Sequence, residues 1–289
     1  MKPARLPVRK TYKLFVGGEF ARSESGRTMA IARRDGTHHV ARATRKDVRD
    51  AVRAARGAWA GWRGRTAYNR GQIIYRLAEM MESRREQFVD VLLSGGATAR
   101  EAAREFEAAV DRAIWYAGWC DKIEQVLSTK NPVAGPHFNV SSPEPTGVVG
   151  VLAPAQPSLL GLVSTVIPPL SGGNVVVALA PSSDPLSAIA FAEAAATSDM
   201  PKGVLNILTG EPAELLPHVA AHFDVNALDI WTADSGLAER AHVAACESVK
   251  RVRRSGTRDR KFWFGDASQS PRWIEAFMEI KTVWHPAGV

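Results

Sequence analysis

Cysteine is almost missing from this chain of 289 residues: Cys120 and Cys246 are the only two, and none follows Cys246. Without a Cys-x-x-Cys pair or a Cys/His cluster, a disulfide scaffold and a structural zinc site are both excluded. A reducing, cytoplasmic setting is the expectation. Long apolar runs are missing too. Pro154, Pro157, Pro168 and Pro169 interrupt the most apolar region, so no stretch reaches the roughly 20 residues that a membrane span requires. The basic start, Met1 to Lys13, has no apolar segment after it, and no secretory signal is expected. His38, His39, His137, His218, His222, His242 and His285 show no ligand spacing, so no metal site is expected.

What is present is an ordinary globular composition, 45% apolar and 23% charged, with a formal charge of +7. Most arginines alternate with acids, as in Arg84-Arg85-Glu86 and Arg100-Glu101 with Arg104-Glu105, the pattern of a solvated helix face. The stretch Lys250 to Lys261, with Arg251, Arg253, Arg254, Arg258 and Arg260, is the one dense basic cluster. It reads as a solvated or partner-facing connector, and binding of nucleic acid is retained only as the weakest reading.

Tyr12 to Phe20 alternates around Gly17-Gly18 and predicts a short hairpin. Thr44 with Asp47 forms a capping-box pattern, after which Val48, Val52, Ala55, Trp59 and Trp62 recur at helical spacing. A second helix follows through Ile73, Ile74, Leu77, Met80 and Met81. Ser83 with Glu86 predicts the start of a third, closed by Gly95-Gly96, and Thr98 with Glu101 opens a long one reaching Trp119. The Trp and Met residues of these helices read as core. Asn131 to Pro145 is polar and proline-rich around the alternating run His137-Phe138-Asn139-Val140, an arm or protruding hairpin. Then strands and helices take turns: strands Gly147 to Leu152, Val175 to Leu179, Leu205 to Leu208 and Ala227 to Trp231, with helices Leu159 to Val166, Leu186 to Ala196 and Ala213 to Ala221 between them. A last helix is placed at His242 to Val249. Strands with so little alternation belong in a parallel sheet covered on both faces, so the fold class is α/β and Rossmann-like.

Four landmarks, Pro145-Thr146-Gly147-Val148-Val149-Gly150, Gly173-Asn174-Val175-Val176-Val177, Pro201 to Gly210 and His222-Phe223-Asp224-Val225, stand in the order and separation of the aldehyde dehydrogenase cofactor domain. Leu14 to Gly18 and Glu279 to Val283 extend the pattern, and the chain resembles that superfamily over nearly its whole length. The resemblance implies a nicotinamide cofactor site, and this sequence departs from it at every chemical position. Pro154-Ala155-Gln156 stands where the family has Pro-Trp-Asn, putting Gln156 at the oxyanion position, where a longer amide is a poor donor. The Lys and Glu that hold the adenosine ribose fall on Leu179 and Ser182, or on Ala180 and Ser183 one residue along. The Phe-Thr-Gly-Ser loop becomes Ile230-Trp231-Thr232-Ala233, and Pro212 replaces the second glycine of the preceding turn. After Val252, Arg253-Arg254-Ser255-Gly256 replaces the Glu-Leu-Gly-Gly segment that supplies the general base. The nucleophilic cysteine has no counterpart, and Cys120 and Cys246 both read as packed and inert.

This pattern is most similar to the shortened, non-catalytic second domain of family-16 aldehyde dehydrogenases. It implies five segments: an N-terminal helical part (1–122), an oligomerisation arm (123–146), the Rossmann-like sheet (147–252), a basic connector in place of the catalytic domain (253–274) and a terminal oligomerisation strand (275–289). It also implies an active, full-length aldehyde dehydrogenase as partner. Phe138, Val140, Trp273, Phe277, Ile280, Val283 and Trp284 are the candidate interface residues, with core packing the alternative for Trp273 and Phe277. No cofactor is required by this reading. Residual NAD binding is conceivable at Gln156, Leu179, Ser182, Gly210 and Trp231, with a helix N-terminus near Gly210 as a phosphate seat. An NAD(P)-dependent aldehyde oxidoreductase in its own right is the competing function.

Overall fold

The computed structural model describes residues 10–287. Residues 1–9 and 288–289, which include most of the basic N-terminal stretch and the ends of the first and last segments, lie outside the described residues. The chain opens with five short strands, β1 (Thr11–Tyr12), β2 (Leu14–Val16), β3 (Glu19–Ala21), β4 (Thr28–Arg33) and β5 (Gly36–Ala41). Between β2 and β3 the two-residue turn is Gly17-Gly18, with φ of 62° and 81°, the left-handed pair that a tight hairpin needs. The β4–β5 hairpin goes beyond the sequence reading: its strands alternate exposed and half-buried residues, and only Val40 and Ala41 are buried.

Four helices follow: α1 (Arg45–Arg63), α2 (Ala67–Glu82), α3 (Arg85–Ser94) and α4 (Ala99–Ala117). Capping boxes at Thr44/Asp47 and Thr98/Glu101 open α1 and α4. The expected start at Ser83 is corrected. Its hydroxyl donates back to the Met80 carbonyl at 3.0 Å, so Ser83 closes α2, and α3 begins without a side-chain cap. A five-residue helix, α5 (Ile123–Leu127), leads into the arm strands β6 (Thr129–Asn131) and β7 (His137–Pro145).

The alternating half comprises β8 (Val148–Leu152), α6 (Ser158–Ser171), β9 (Val175–Leu179), α7 (Leu186–Ala196), β10 (Leu205–Leu208), α8 (Pro212–Ala221), β11 (Ala227–Trp231), α9 (Ser235–Cys246) and β12 (Arg251–Ser255). The sheet order is β12-β11-β8-β9-β10-β2-β3, parallel from β12 to β10 and antiparallel at the β2–β3 edge. Every residue of β8, β9, β10 and β11 is buried, as apolar strands with helices packed over them require. Helix α6 runs longer than the sequence suggested, through Pro168-Pro169, and the Trp62 indole caps its end by donating to the Leu170 carbonyl at 3.1 Å. Helix α9 starts earlier, at Ser235, so Cys246 ends it instead of lying inside it.

The sheet does not stop at Val252. Strand β12 pairs with β11 from Ala227↔Arg251 to Trp231↔Ser255, which moves the start of the supposed connector into the sheet. The rest is folded as well: α10 (Arg260–Trp263), a 3-10 turn at Asp266–Ser268 and α11 (Arg272–Glu275) carry the chain to β13 (Met278–Pro286). Strand β13 pairs antiparallel with β7 over nine residues, from Met278↔Pro145 to Pro286↔His137, and β6 lies on the other side of β7. The expected arm is therefore a three-stranded sheet. Among the described residues no helix is long and apolar enough to cross a membrane.

Candidate functional site

The carboxyl ends of β8, β9, β11 and β12 open onto a cleft of about 630 Å³, the edge at which open α/β sheets bind ligands. Gln156, Ser182, Pro212, Trp231, Asp234 and Arg258 are among its lining residues. Three of the proposed cofactor positions, Gln156, Ser182 and Trp231, are thus brought together. The other two are not. Leu179 is 1% exposed inside the sheet, and its carbonyl accepts the Ala153 N–H at 3.1 Å. Gly210, with φ of 155°, is needed for packing: a Cβ there would lie 2.9 Å from Leu215 Cδ1 and 3.3 Å from the Ala43 nitrogen. Neither lines the cleft, and both serve the packing of the sheet.

Trp231 forms the inner wall of the cleft as part of an aromatic cluster. It stacks on Trp273 at 5.4 Å and 18°, and meets Trp263 at 4.9 Å. The Arg253 guanidinium lies 4.4 Å from the Trp273 ring and 5.4 Å from those of Trp231 and Phe277, close enough for cation–π attraction. Trp273 and Phe277 are accordingly 7% and 0% exposed, so for both the alternative of core packing holds and neither is an interface residue. Trp273 on short helix α11 and Phe277 just after it turn inward to cover the cation.

Arg253 occupies the place where the resemblance puts the general base, and it is fully engaged. Its Nε donates to Asp229 Oδ1 at 2.8 Å and its Nη2 to Oδ2 at 2.5 Å, with Asp229 0% exposed. A guanidinium so bound cannot accept a proton. The neighbouring arginines are also partnered within the chain: Arg254 with Glu239, and Arg251 with Glu279 and the Met278 carbonyl. Neither cysteine reaches the cleft. Cys120 is buried, and burial pushes its thiol up to about 11, so it is protonated at neutral pH and a poor nucleophile. Cys246 is exposed on α9, which corrects its reading as a packed residue. Among the described residues no group of three or more His, Cys, Asp or Glu side chains could hold a metal ion.

The arm supplies a second feature. Val140 lies opposite Val283 and Phe138 opposite His285, so by strand alternation Phe138, Val140 and Val283 share one face, and Ile280 and Trp284 share the other. All five are exposed, between 42% and 59%. Strand β13 is an edge strand with no partner on its outer side among the described residues.

The fold and the site's position define an aldehyde dehydrogenase-type cofactor domain. Residues 21–254 match the model of the aldehyde dehydrogenase family, and the chain belongs to that family. It is 33% identical over 86% of its length to the mouse cytosolic 10-formyltetrahydrofolate dehydrogenase, of which it covers 28%. It is 30% identical over 83% of its length to aldehyde dehydrogenase, cytosolic 1 of Elephantulus edwardii, of which it covers 49%. Among solved structures, the NAD+ complex of an aldehyde dehydrogenase from Bacillus cereus superposes with a TM-score of 0.79 at 26% identity, covering 84% of this chain and 50% of that one. The chain therefore spans half or less of the length of these relatives.

A domain of this kind implies a dinucleotide in the cleft. Its ribose end offers neutral Ser182 and no lysine or carboxylate at Leu179. Where a pyrophosphate would approach the N-terminus of α9, the Asp234 carboxylate is already seated, accepting the Leu237 N–H at 2.8 Å. At this helix start the residues fit the negative charge of a dinucleotide poorly, because a carboxylate already occupies the N–H groups there; Arg258 is the one cation of the lining. Asp234 was missed in the sequence, although an Asp just after an apolar strand is an N-cap signal.

Proposed function

We propose that this chain is a catalytically inactive aldehyde dehydrogenase-like subunit that binds an active, full-length aldehyde dehydrogenase in the cytoplasm and stabilises or regulates it. One observation carries the reading. Between β12 and the arm strand β13, residues 256–277 form two short helices and a turn with no cysteine, and the base position holds Arg253 bound to Asp229. Aldehyde oxidation needs an activated nucleophile and a proton acceptor; this span offers no cysteine, and the position of the base is held by an arginine already bound to Asp229. The partner role is supported by the arm, where exposed Phe138, Val140, Ile280, Val283 and Trp284 accompany a strand edge able to add a strand from another chain. The internal pairing of Arg251, Arg253 and Arg254 argues against nucleic acid as that partner.

The purified chain, given aldehydes with NAD+ or NADP+, is expected to produce no reduced cofactor above background. Pull-down with the intact chain is expected to recover a full-length aldehyde dehydrogenase; recovery of none counts against the reading. The competing oxidoreductase reading draws on the cleft and on Gln156 exposed at its wall. Turnover by the chain alone would establish it.

A further inference from the structure

We propose that the chain's own carboxylates close the carboxyl edge of the parallel sheet to phosphate-bearing ligands, and that Asp234 is the residue deciding this at the open cleft. In sheets of this kind phosphates are held where a strand gives way to a helix, because free N–H groups and the helix dipole favour an anion there. Helices α6, α7, α8 and α9 follow β8, β9, β10 and β11, and an acidic residue stands at each of their N-termini. At α6, Glu105 accepts the Leu159 and Leu160 N–H groups at 2.9 and 3.4 Å while itself 3% exposed. At α7, buried Asp184 precedes the capping Pro185 and is held by Arg33. At α8, Glu211 is the N-cap, Pro212 contributes no N–H, and Glu214 of the first turn pairs with Arg42. At α9, Asp234 caps Leu237.

Of these acids Asp234 lines the cleft as an exposed N-cap, and no lysine or arginine among the described residues forms an ion pair with it; the one arginine of the lining, Arg258, lies over the Phe262 ring at 5.4 Å instead. An incoming phosphate there meets a full negative charge within the first helical turn, on the N–H groups that would otherwise attract it. Asp234 thus acts as a specificity determinant at the start of α9: its charge disfavours a phosphate there relative to a neutral ligand, with Arg258 the only opposing charge in the lining.

The variant Asp234→Asn tests this, since asparagine caps a helix as well as aspartate does but carries no charge. Tryptophan fluorescence, with Trp231 on the cleft wall, would follow titration of the intact chain and the variant with NAD+, inorganic pyrophosphate and uncharged adenosine. The unaltered chain is expected to show no saturation with NAD+ or pyrophosphate in the micromolar range. The variant is expected to bind both about tenfold more tightly at low salt, as removal of one nearby charge implies, with adenosine unchanged. Micromolar NAD+ binding by the unaltered chain would overturn the proposal. So would a variant that gains nothing, or one that gains equally for adenosine. None of these outcomes bears on the partner role, which the pull-down decides.

Discussion

Asp229 and Arg253 form the pair on which the β11–β12 edge depends, and each makes the other tolerable in a dry environment. Arg253→Ala would leave a fully buried carboxylate without its cation, and a loss of about 3–5 kcal/mol is expected in urea denaturation. A loss below about 1 kcal/mol would mean that the pair is not what holds β12. Glu105 makes a different prediction. Burial, its largest influence, raises its pKa above the ordinary carboxylate value. A group with a raised folded pKa contributes stability that is fully present below its unfolded pKa and is lost as pH rises through the folded value. Glu105→Gln keeps an acceptor for Leu159 and Leu160 but cannot titrate. Its stability relative to the unaltered chain should therefore grow as pH rises from the ordinary carboxylate range towards neutrality, and a pH-independent difference would contradict the assignment. The thiols give a third check. With Ellman's reagent at neutral pH the folded protein should expose one reactive group, Cys246, and the second, Cys120, should react only on unfolding.

Among the elements, the span from α10 to α11 stands in for the expected catalytic domain, and Arg112 of α4 fastens it. That guanidinium is 3% exposed and donates to Gln269 Oε1, Ser164 Oγ and the carbonyls of Ser268 and Trp263 at 2.6 to 3.0 Å. Arg112→Ala would leave the buried Ser164 hydroxyl and Ser268 carbonyl without this donor, while the Trp263 carbonyl keeps the Ser268 hydroxyl, at a cost of about 3 kcal/mol. Limited proteolysis should then cut first within residues 256–277; cleavage elsewhere first would show that Arg112 does not anchor the span. Legibility in the sequence followed the same divide. The apolar runs of β8, β9, β10 and β11, the Gly17-Gly18 hairpin and the two capping boxes could be read because each is encoded locally. Arg-Val-Arg-Arg-Ser could not be read as strand β12, because its charges are neutralised by Asp229, Glu239 and Glu279, which lie 15 to 28 residues away. For Trp273 and Phe277 the sequence leaves interface and core packing both open for a related reason: the cation they cover reaches them through the fold. The cleft was half legible. Gln156, Ser182 and Trp231 line it, Leu179 and Gly210 do not, and Asp234 acts through a cap whose helix was placed too late.

At the scale of the whole molecule, a Rossmann-type sheet and an arm sheet are joined without a nucleophile-bearing insertion between β12 and β13. The arm leaves apolar residues on both of its faces and, among the described residues, an open edge, the features on which the proposed docking of another chain rests. Val283→Lys and Trp284→Ala change residues that are 47% and 59% exposed, so neither should shift thermal stability by more than about 0.5 kcal/mol. Capture of an aldehyde dehydrogenase partner should nevertheless fall about tenfold or more, as expected when apolar anchors of an interface are removed; undiminished capture would place the interface elsewhere. The most direct test is native mass measurement of the intact chain co-expressed with a full-length aldehyde dehydrogenase from the same organism. The account predicts a species containing both polypeptides, and detection only of each protein by itself or with its own copies would contradict it.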